Sequence, residues 1–219
     1  MLYEIHVHSK FSDGNASPKQ IVDHAKKIGL NGIAITDHDE IAGSLEALNY
    51  ATEDFTVIPG MEVSAREGHI LALNVRELIP KDLSAKETID RIHALGGLAV
   101  AAHPYDSWRN GVGDLVLELD FDAVEVANGH TIYNTKDVVG LCGKHGLVMV
   151  GGTDAHLLKE VGSVVVECDK PLLEAIKSGA LRIKSSGKPQ LFSNHALFLF
   201  HRKVVRRLIR ALGWIRSRL

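Results

Sequence analysis

Cysteine is scarce: Cys142 and Cys168 are the only two in 219 residues, and no C-x-x-C pair occurs. Two thiols cannot build the disulfide framework of a small secreted scaffold, so a reducing cytoplasm is the expected compartment. Long apolar runs are missing too. None approaches the roughly 18 residues of a membrane span, and Met1-Leu2-Tyr3-Glu4-Ile5-His6 has neither the basic start nor the apolar stretch of a signal peptide. Aromatic residues are only 5% of the chain. No glycine-rich phosphate loop appears, which sets aside nucleotide binding of the P-loop kind. Histidine, by contrast, is abundant, with 12 residues.

The net charge of −2 averages two unlike regions. Residues 194–219 hold seven basic side chains (Arg202, Lys203, Arg206, Arg207, Arg210, Arg216, Arg218) and no acidic one. All 27 acidic residues therefore lie in residues 1–193, against 18 basic ones. The reading is of two parts: an acidic body over 1–193 and a basic tail over 194–219. In the tail Leu197, Phe200, Val204, Leu208, Leu212 and Ile215 fall at helical spacing, with Arg202, Arg206 and Arg210 on another face. This predicts an amphipathic C-terminal helix. It would either pack on the body or meet a nucleic-acid backbone or an anionic membrane.

The body alternates short apolar runs with amphipathic ones. Strands are predicted at 2–8, 32–36, 56–58, 69–73, 98–102, 123–126, 147–150 and 161–166. Ser17-Pro18-Lys19-Gln20 and Ser84 with Glu87 are capping boxes, predicting helices that end at Gly29 and at Gly96-Gly97. Further helices are expected at 41–52, 112–119, 133–145 and 171–178. Such alternation implies βα repeats around a mostly parallel sheet, and this many strands in so short a chain favours a closed barrel.

In parallel α/β folds, polar groups at strand ends open on one face. His6-Val7-His8 ends the first strand with both imidazoles on one side, and Asp13 follows. His38 ends the second strand, Glu62 follows the third, and His69 opens another. His103 and Asp154-Ala155-His156 end later ones. These six imidazoles and three carboxylates exceed the needs of one four- or five-coordinate ion, whereas two or three divalent ions would use them all. Carboxylates suit such a cluster because they can bridge two cations. Asp37 and Asp39 are read as helix caps or turn residues. His24, His93 and His145 are read as ordinary helix residues, and His130 either as support for the cluster or as a surface group. Arg66 and Arg109 are read either as a phosphate clamp or as surface arginines.

In order, His6-x-His8, Asp13-Gly14, Ile35-Thr36-Asp37-His38-Asp39, Gly60-Met61-Glu62-Val63-Ser64, Gly68-His69-Ile70-Leu71, Ala102-His103-Pro104 and Gly152-Thr153-Asp154-Ala155-His156 resemble the motifs of the PHP (polymerase and histidinol phosphatase) family. The resemblance spans about residues 3 to 166. It implies a distorted (β/α)7 TIM-like barrel with a trinuclear metal site and phosphoesterase activity. By position, it implies one metal on His6, His8, Glu62 and Asp154, a second on Glu62, His69 and His103, and a third on Asp13, His38 and His156. Asp13 is similar to the small PHP phosphoesterases that act on nucleotides and nucleic-acid ends. With 33 residues between His69 and His103, the domain that those relatives often insert there is missing.

The expected activity is hydrolysis of a phosphomonoester or phosphodiester of a nucleotide or nucleic-acid end, as a 5′-3′ exonuclease or nucleotide phosphatase. A metal-bridging hydroxide held by the nine residues would attack phosphorus in line. The expected cofactors are two or three Zn, Mn or Fe ions, all suited to mixed imidazole and carboxylate ligands. Other classes stay open: a histidinol-phosphate-type phosphatase, amidohydrolase-type chemistry on a C–N bond, or a non-catalytic metal-dependent binding module. Nothing in the sequence calls for an obligate protein partner.

Overall fold

The computed structural model describes residues 1–106, 108–131 and 134–186. The C-terminal helix expected from residue 194 onward lies outside them. Among the described residues, nine strands form one sheet. In chain order the elements are β1 (Leu2–Glu4), α1 (Pro18–Lys27), β2 (Gly32–Ile35), α2 (Ala42–Ala47), β3 (Thr56–Ser64), β4 (His69–Leu73), α3 (Ala85–Ala94) and β5 (Leu98–Ala101). They continue with β6 (Ala123–Asn128), α4 (Val138–His145), β7 (Met149–Gly152), β8 (Val164–Glu167), α5 (Leu172–Ser178) and β9 (Arg182–Ser185). No helix among the described residues is long and apolar enough to cross a membrane.

The strand order is β7-β6-β5-β4-β3-β2-β1-β8-β9, and the sheet curls into a nearly closed barrel. Beyond the end of β1, Val7 bridges Ala155 in parallel. There the His8 amide donates to the Ala155 carbonyl at 2.8 Å and the Ala155 amide to the His6 carbonyl at 3.1 Å. All eight strands from β1 to β8 send side chains to one interior cluster, including Tyr3, Ala34, Ile58, Leu71, Leu98, Ala123, Val150 and Val166. The pleat sends alternate residues outward. Ile70 and Ala72 join Ile89 and Ile92 of α3 in a second cluster. Each fully buried isoleucine there is worth on the order of 1.5–3 kcal/mol.

Both capping boxes form. Gln20 and Glu87 reach back to the amides of Ser17 and Ser84 at 2.9 and 2.8 Å, and each serine accepts from the N3 amide. Other expectations need correction. The sheet is not mostly parallel: β1/β2, β2/β3, β5/β6 and β6/β7 are parallel, while β3/β4, β4/β5, β1/β8 and β8/β9 are antiparallel. Only residues 65–68 join β3 to β4, a link that makes a hairpin and is too short for a parallel crossover. The helix expected at 112–119 is a short 3₁₀ turn, Gly113–Leu117. It starts where Gly113, at φ +61°, donates to the Pro104 carbonyl. The helix expected from 133 starts at Val138, because Asp137 caps the Gly140 amide. The polar strand β9 was not expected at all.

Candidate metal centre

The predicted site residues meet at one mouth of the barrel. Val7 pairs with Ala155, so the flanking His6 and His8 turn the same way. Asp13 is brought back by a tight turn at Gly14, where a Cβ would collide with the His8 carbonyl. Glu62 was expected in a loop but lies inside β3, opposite Leu71. Strand pairing extends past β2, so that His38 bridges Glu62 in parallel and the Asp39 amide donates to the Glu62 carbonyl. His69 opens β4, His103 follows β5, and Asp154 and His156 follow β7. Two of these residues occupy the left-handed region: His103 at φ +32° and Asp154 at φ +59°. Such conformations cost on the order of 1–3 kcal/mol each and persist where the surroundings impose them.

Glu62 is the hub. Its Oε2 lies 3.3 Å from Nε2 of His6, 3.3 Å from Nε2 of His8 and 3.1 Å from Nδ1 of His38. Its Oε1 lies 3.1 Å from Nδ1 of His69 and 3.3 Å from Nε2 of His103. Asp154 is a second hub, with Oδ1 at 3.0 Å from His8, 3.5 Å from His6 and 3.6 Å from His156. Asp13 lies 3.3 Å from Nε2 of His156 and 3.8 Å from Nδ1 of His8. Three groups present their donor atoms within 4.8 Å of one another: His6, His8 and Asp154; His38, Glu62 and His69; and His8, Asp13, His38 and His156. His8 and His38 thus each stand between two groups.

The cluster fits cations better than it fits itself. Nε2 of His6, both ring nitrogens of His8, Nδ1 of His69, Oε2 of Glu62 and Oδ1 of Asp154 are buried without a hydrogen bond, a costly state unless something binds them. Burial, reinforced by the neighbouring His156 and His38 rings, holds His8 well below the ordinary histidine range. Burial, with Arg109 adding to it, pushes His103 down to about 4. Both rings are therefore neutral, the form that coordinates metal. Burial opposes ionisation of Glu62, but the imidazoles of His38, His69 and His6 outweigh it and keep it a carboxylate.

A supporting ring of side chains was largely missed from sequence. Buried Glu125, the lone carboxylate at the start of β6, lies 2.9 Å from Nδ1 of His6 and accepts from the His103 amide and from Asn128. Against the penalty of burial, Glu125 and then Glu62 raise His6 to about 10, so without a cation the ring holds both protons, and its basicity would make it a strong ligand once a cation displaces the one on Nε2. Buried Glu160 accepts from the amides of His156 and Leu157 and bonds Nε2 of His130, so His130 belongs to the cluster's support. Glu4 accepts from the amides of Ile5, His6, Thr153 and Gly162 and ties the end of β1 to the end of β7. Asp37 is not a helix cap. It takes hydrogen bonds from Ser9 and Ser12 and fixes the loop before Asp13. Asp39 accepts from the Ser64 amide. Of the two arginines, Arg66 is exposed and faces Glu87, whereas the Arg109 guanidinium pairs with Asp154 and donates to Asn128. His24, His93 and His145 lie in helices, as expected.

A curled α/β barrel with imidazoles and carboxylates packed at its strand ends is the framework of a metal-dependent hydrolase. The family model for the PHP domain matches residues 4–107, and the PHP-associated model matches residues 136–181. An uncharacterized protein of Methanocaldococcus jannaschii is 39% identical over 142 residues, 59% of this chain and 83% of that protein. A 5′-3′ exoribonuclease of Haemophilus influenzae is 43% identical over 84 residues, 36% of this chain and 31% of that enzyme; the chain thus matches under a third of it. A two-domain protein of Bacteroides vulgatus, described as containing a predicted PHP-like metal-dependent phosphoesterase, superimposes with a TM-score of 0.71 at 22% identity, covering 84% of this chain and 64% of that one. This last likeness speaks to the fold. The chain belongs to the PHP family of metal-dependent phosphoesterases, hydrolases of phosphoric ester bonds.

Proposed function

We propose that the chain hydrolyses a phosphomonoester or phosphodiester of a nucleotide or nucleic-acid end. Two or three divalent ions, Zn²⁺, Mn²⁺ or Fe²⁺, would be held by His6, His8, Asp13, His38, Glu62, His69, His103, Asp154 and His156. The observation that carries this reading is the convergence of imidazoles on Glu62 and Asp154, with buried donor atoms left without hydrogen bonds. Such ions, when bound, lower the pKa of water and offset charge on phosphate oxygens. The chain's own groups do the positioning. Glu125 keeps Nε2 of His6 aimed at Glu62, Glu160 fixes the backbone of His156, and Arg109 brings a planar cation beside Asp154, where a phosphate oxygen could take its second N–H.

The exoribonuclease relative supports a nucleic-acid end as substrate. The phosphoesterase body would be residues 1–193, with residues 194–219 as a basic segment that meets a polynucleotide backbone. The test is turnover of a chromogenic phosphodiester and of nucleotide monoesters by the full chain loaded with Mn²⁺, Zn²⁺ or Fe²⁺. His8→Ala and Asp154→Asn are expected to abolish it. A folded, metal-loaded chain that turns over no phosphoester would overturn the proposal. Release of ammonia instead of phosphate would move the site to C–N chemistry.

A further inference from the structure

Glu125 and Asn128 both reach the metal centre from β6, although residues three apart on a regular strand face opposite sides of a sheet. The cause is a β-bulge. Along the pairing with β7, Glu125 stands opposite Val150 and Ala127 opposite Gly151, which leaves Val126 as an extra residue on β6. Val126 packs against the outer cluster. The pairing resumes with Asn128 opposite Gly152, and Nδ2 of Asn128 lies 2.9 Å from Oε2 of Glu125.

The bulge brings an amide to a point that asks for one. The backbone N–H groups of His130 and Thr131, at 2.9 and 3.2 Å, and Nη1 of Arg109, at 2.8 Å, all meet the same end of the Asn128 side chain. Only an oxygen can accept them, so that end is Oδ1. The other end is the NH2, which donates to Glu125 and, at 3.2 Å, to Oδ2 of Asp154. An aspartate at this position could not donate to either carboxylate.

This contact divides Asp154. Its Oδ1 faces His6 and His8, whereas its Oδ2 faces Asn128 and the Arg109 guanidinium. Arg109 is in turn held at two points, Nη1 on the Asn128 oxygen and Nη2 on Asp154. A planar guanidinium fixed through two of its nitrogens cannot swivel, and its remaining N–H groups keep one direction beside the centre.

We propose that Asn128 is a positioning residue for the phosphate of the substrate, acting through Arg109. The amide sets the guanidinium where a phosphate oxygen meets it, and it keeps Oδ1 of Asp154 turned toward the cation ligands. The inference rests on the phosphoesterase reading above and adds to it a residue that works at one remove from the substrate.

A double-mutant cycle on the full chain, with Mn²⁺ saturating for each variant, tests this with inorganic phosphate as the probe and calorimetry as the readout. Arg109→Met and Asn128→Ala are each expected to weaken phosphate binding about tenfold, the scale of one charge-assisted hydrogen bond. The double variant is expected to bind no more weakly than Arg109→Met alone, because the two residues act as one unit. Losses that multiply to about a hundredfold overturn the proposal, as does parent-like affinity in Asn128→Ala. Arg109→Lys keeps the charge without the fork and is expected to bind phosphate nearly as weakly as Arg109→Met. Parent-like affinity in that variant also overturns the proposal, and this arm holds even where Asn128→Ala does not fold. On a phosphoester that is turned over, the loss in Asn128→Ala is expected in KM, and a loss confined to kcat counts against positioning of the phosphate. The expected cycle without turnover of any phosphoester would uphold the role of Asn128 and overturn the phosphoesterase reading instead.

Discussion

Oε1 of Glu125 lies 2.9 Å from Nδ1 of His6, and the opposite nitrogen of the same ring lies 3.3 Å from Glu62. One imidazole thus links a carboxylate from β6 to the hub carboxylate of β3. With Nδ1 donating to Glu125, the ring presents Nε2 to the cluster, and a cation bound there would displace the proton that the two carboxylates otherwise hold on that nitrogen. Glu125→Gln is expected to lower metal affinity on the order of 10–100-fold, the usual scale for losing a partner of this kind. Calorimetric titration of the apo chain with Mn²⁺ checks it, and affinity equal to that of the parent chain would remove Glu125 from the site.

Gly152 stands against this pair. A Cβ there would lie 2.6 Å from Oε1 of Glu125 and 2.6 Å from Cβ of His6. Gly152→Ala must therefore push the two apart. Overpacking costs about 1–3 kcal/mol, and the same displacement should weaken metal binding. Urea unfolding and the Mn²⁺ titration, run on one preparation, are expected to change together.

Chelation should lower the melting temperature. The buried atoms without hydrogen bonds in His6, His8, Glu62 and Asp154 leave a penalty that bound cations relieve. A ligand at 100 times its dissociation constant adds about 2.7 kcal/mol, which for a body of this size is a rise of roughly 5–10 °C. Differential scanning calorimetry with EDTA and with excess Mn²⁺ measures it. Asp154→Asn is expected to shrink the difference.

Glu160 gives a pH signature. Burial works to raise its pKa, but the hydrogen bond from His130 and the amides of His156 and Leu157 outweigh it and hold the group at about 2, below the ordinary 4.5. A carboxylate with a depressed folded-state pKa adds stability above its unfolded value and loses it as pH falls toward the folded one. Glu160→Gln is therefore expected to be less stable than the parent by about 1–3 kcal/mol near pH 7. The gap should narrow as pH drops from 4.5 toward 2. Denaturant unfolding at pH 7, 5 and 3.5 follows it, and a constant gap would mean that the charge contributes nothing.

The tail can be tested without removing it. Changing Arg202, Arg206 and Arg210 to Glu in the full chain is expected to weaken polynucleotide binding. It should also reduce the slope of log affinity against log salt, each lost phosphate contact accounting for about 0.7–0.9 of that slope. Unchanged binding and slope would assign the basic residues another role.

Most of the nine candidate residues were legible because they lie at or just past the end of an apolar run, where chain direction sends polar groups to one mouth; His69, which opens β4, reaches the same mouth because β4 runs antiparallel to β3. Glu125 was not, although it is buried. A single glutamate in Ala-Val-Glu-Val-Ala has the same local pattern as an outward-facing strand residue, and only closure of the sheet turns it inward. Glu62 was recognised but misplaced. Gly60 beside it suggests a turn, yet here its missing side chain lets β3 approach the Ala72 carbonyl of β4. Arg109 carries no local signal that separates surface from site, because the fold of its loop, which local sequence does not encode, sends it to Asp154.

The sequence by itself determined the βα rhythm, the capped starts of α1 and α3, the identity of the imidazoles and carboxylates, and the partition of charge between body and tail. These are local properties, set by spacing, capping chemistry and composition. The tertiary structure decided which strands run antiparallel, which carboxylates stand behind the histidines, and how two hub carboxylates share six imidazoles. Those are contacts between residues as distant as His6 and Glu125, fixed only when the sheet curls and β1 meets the end of β7.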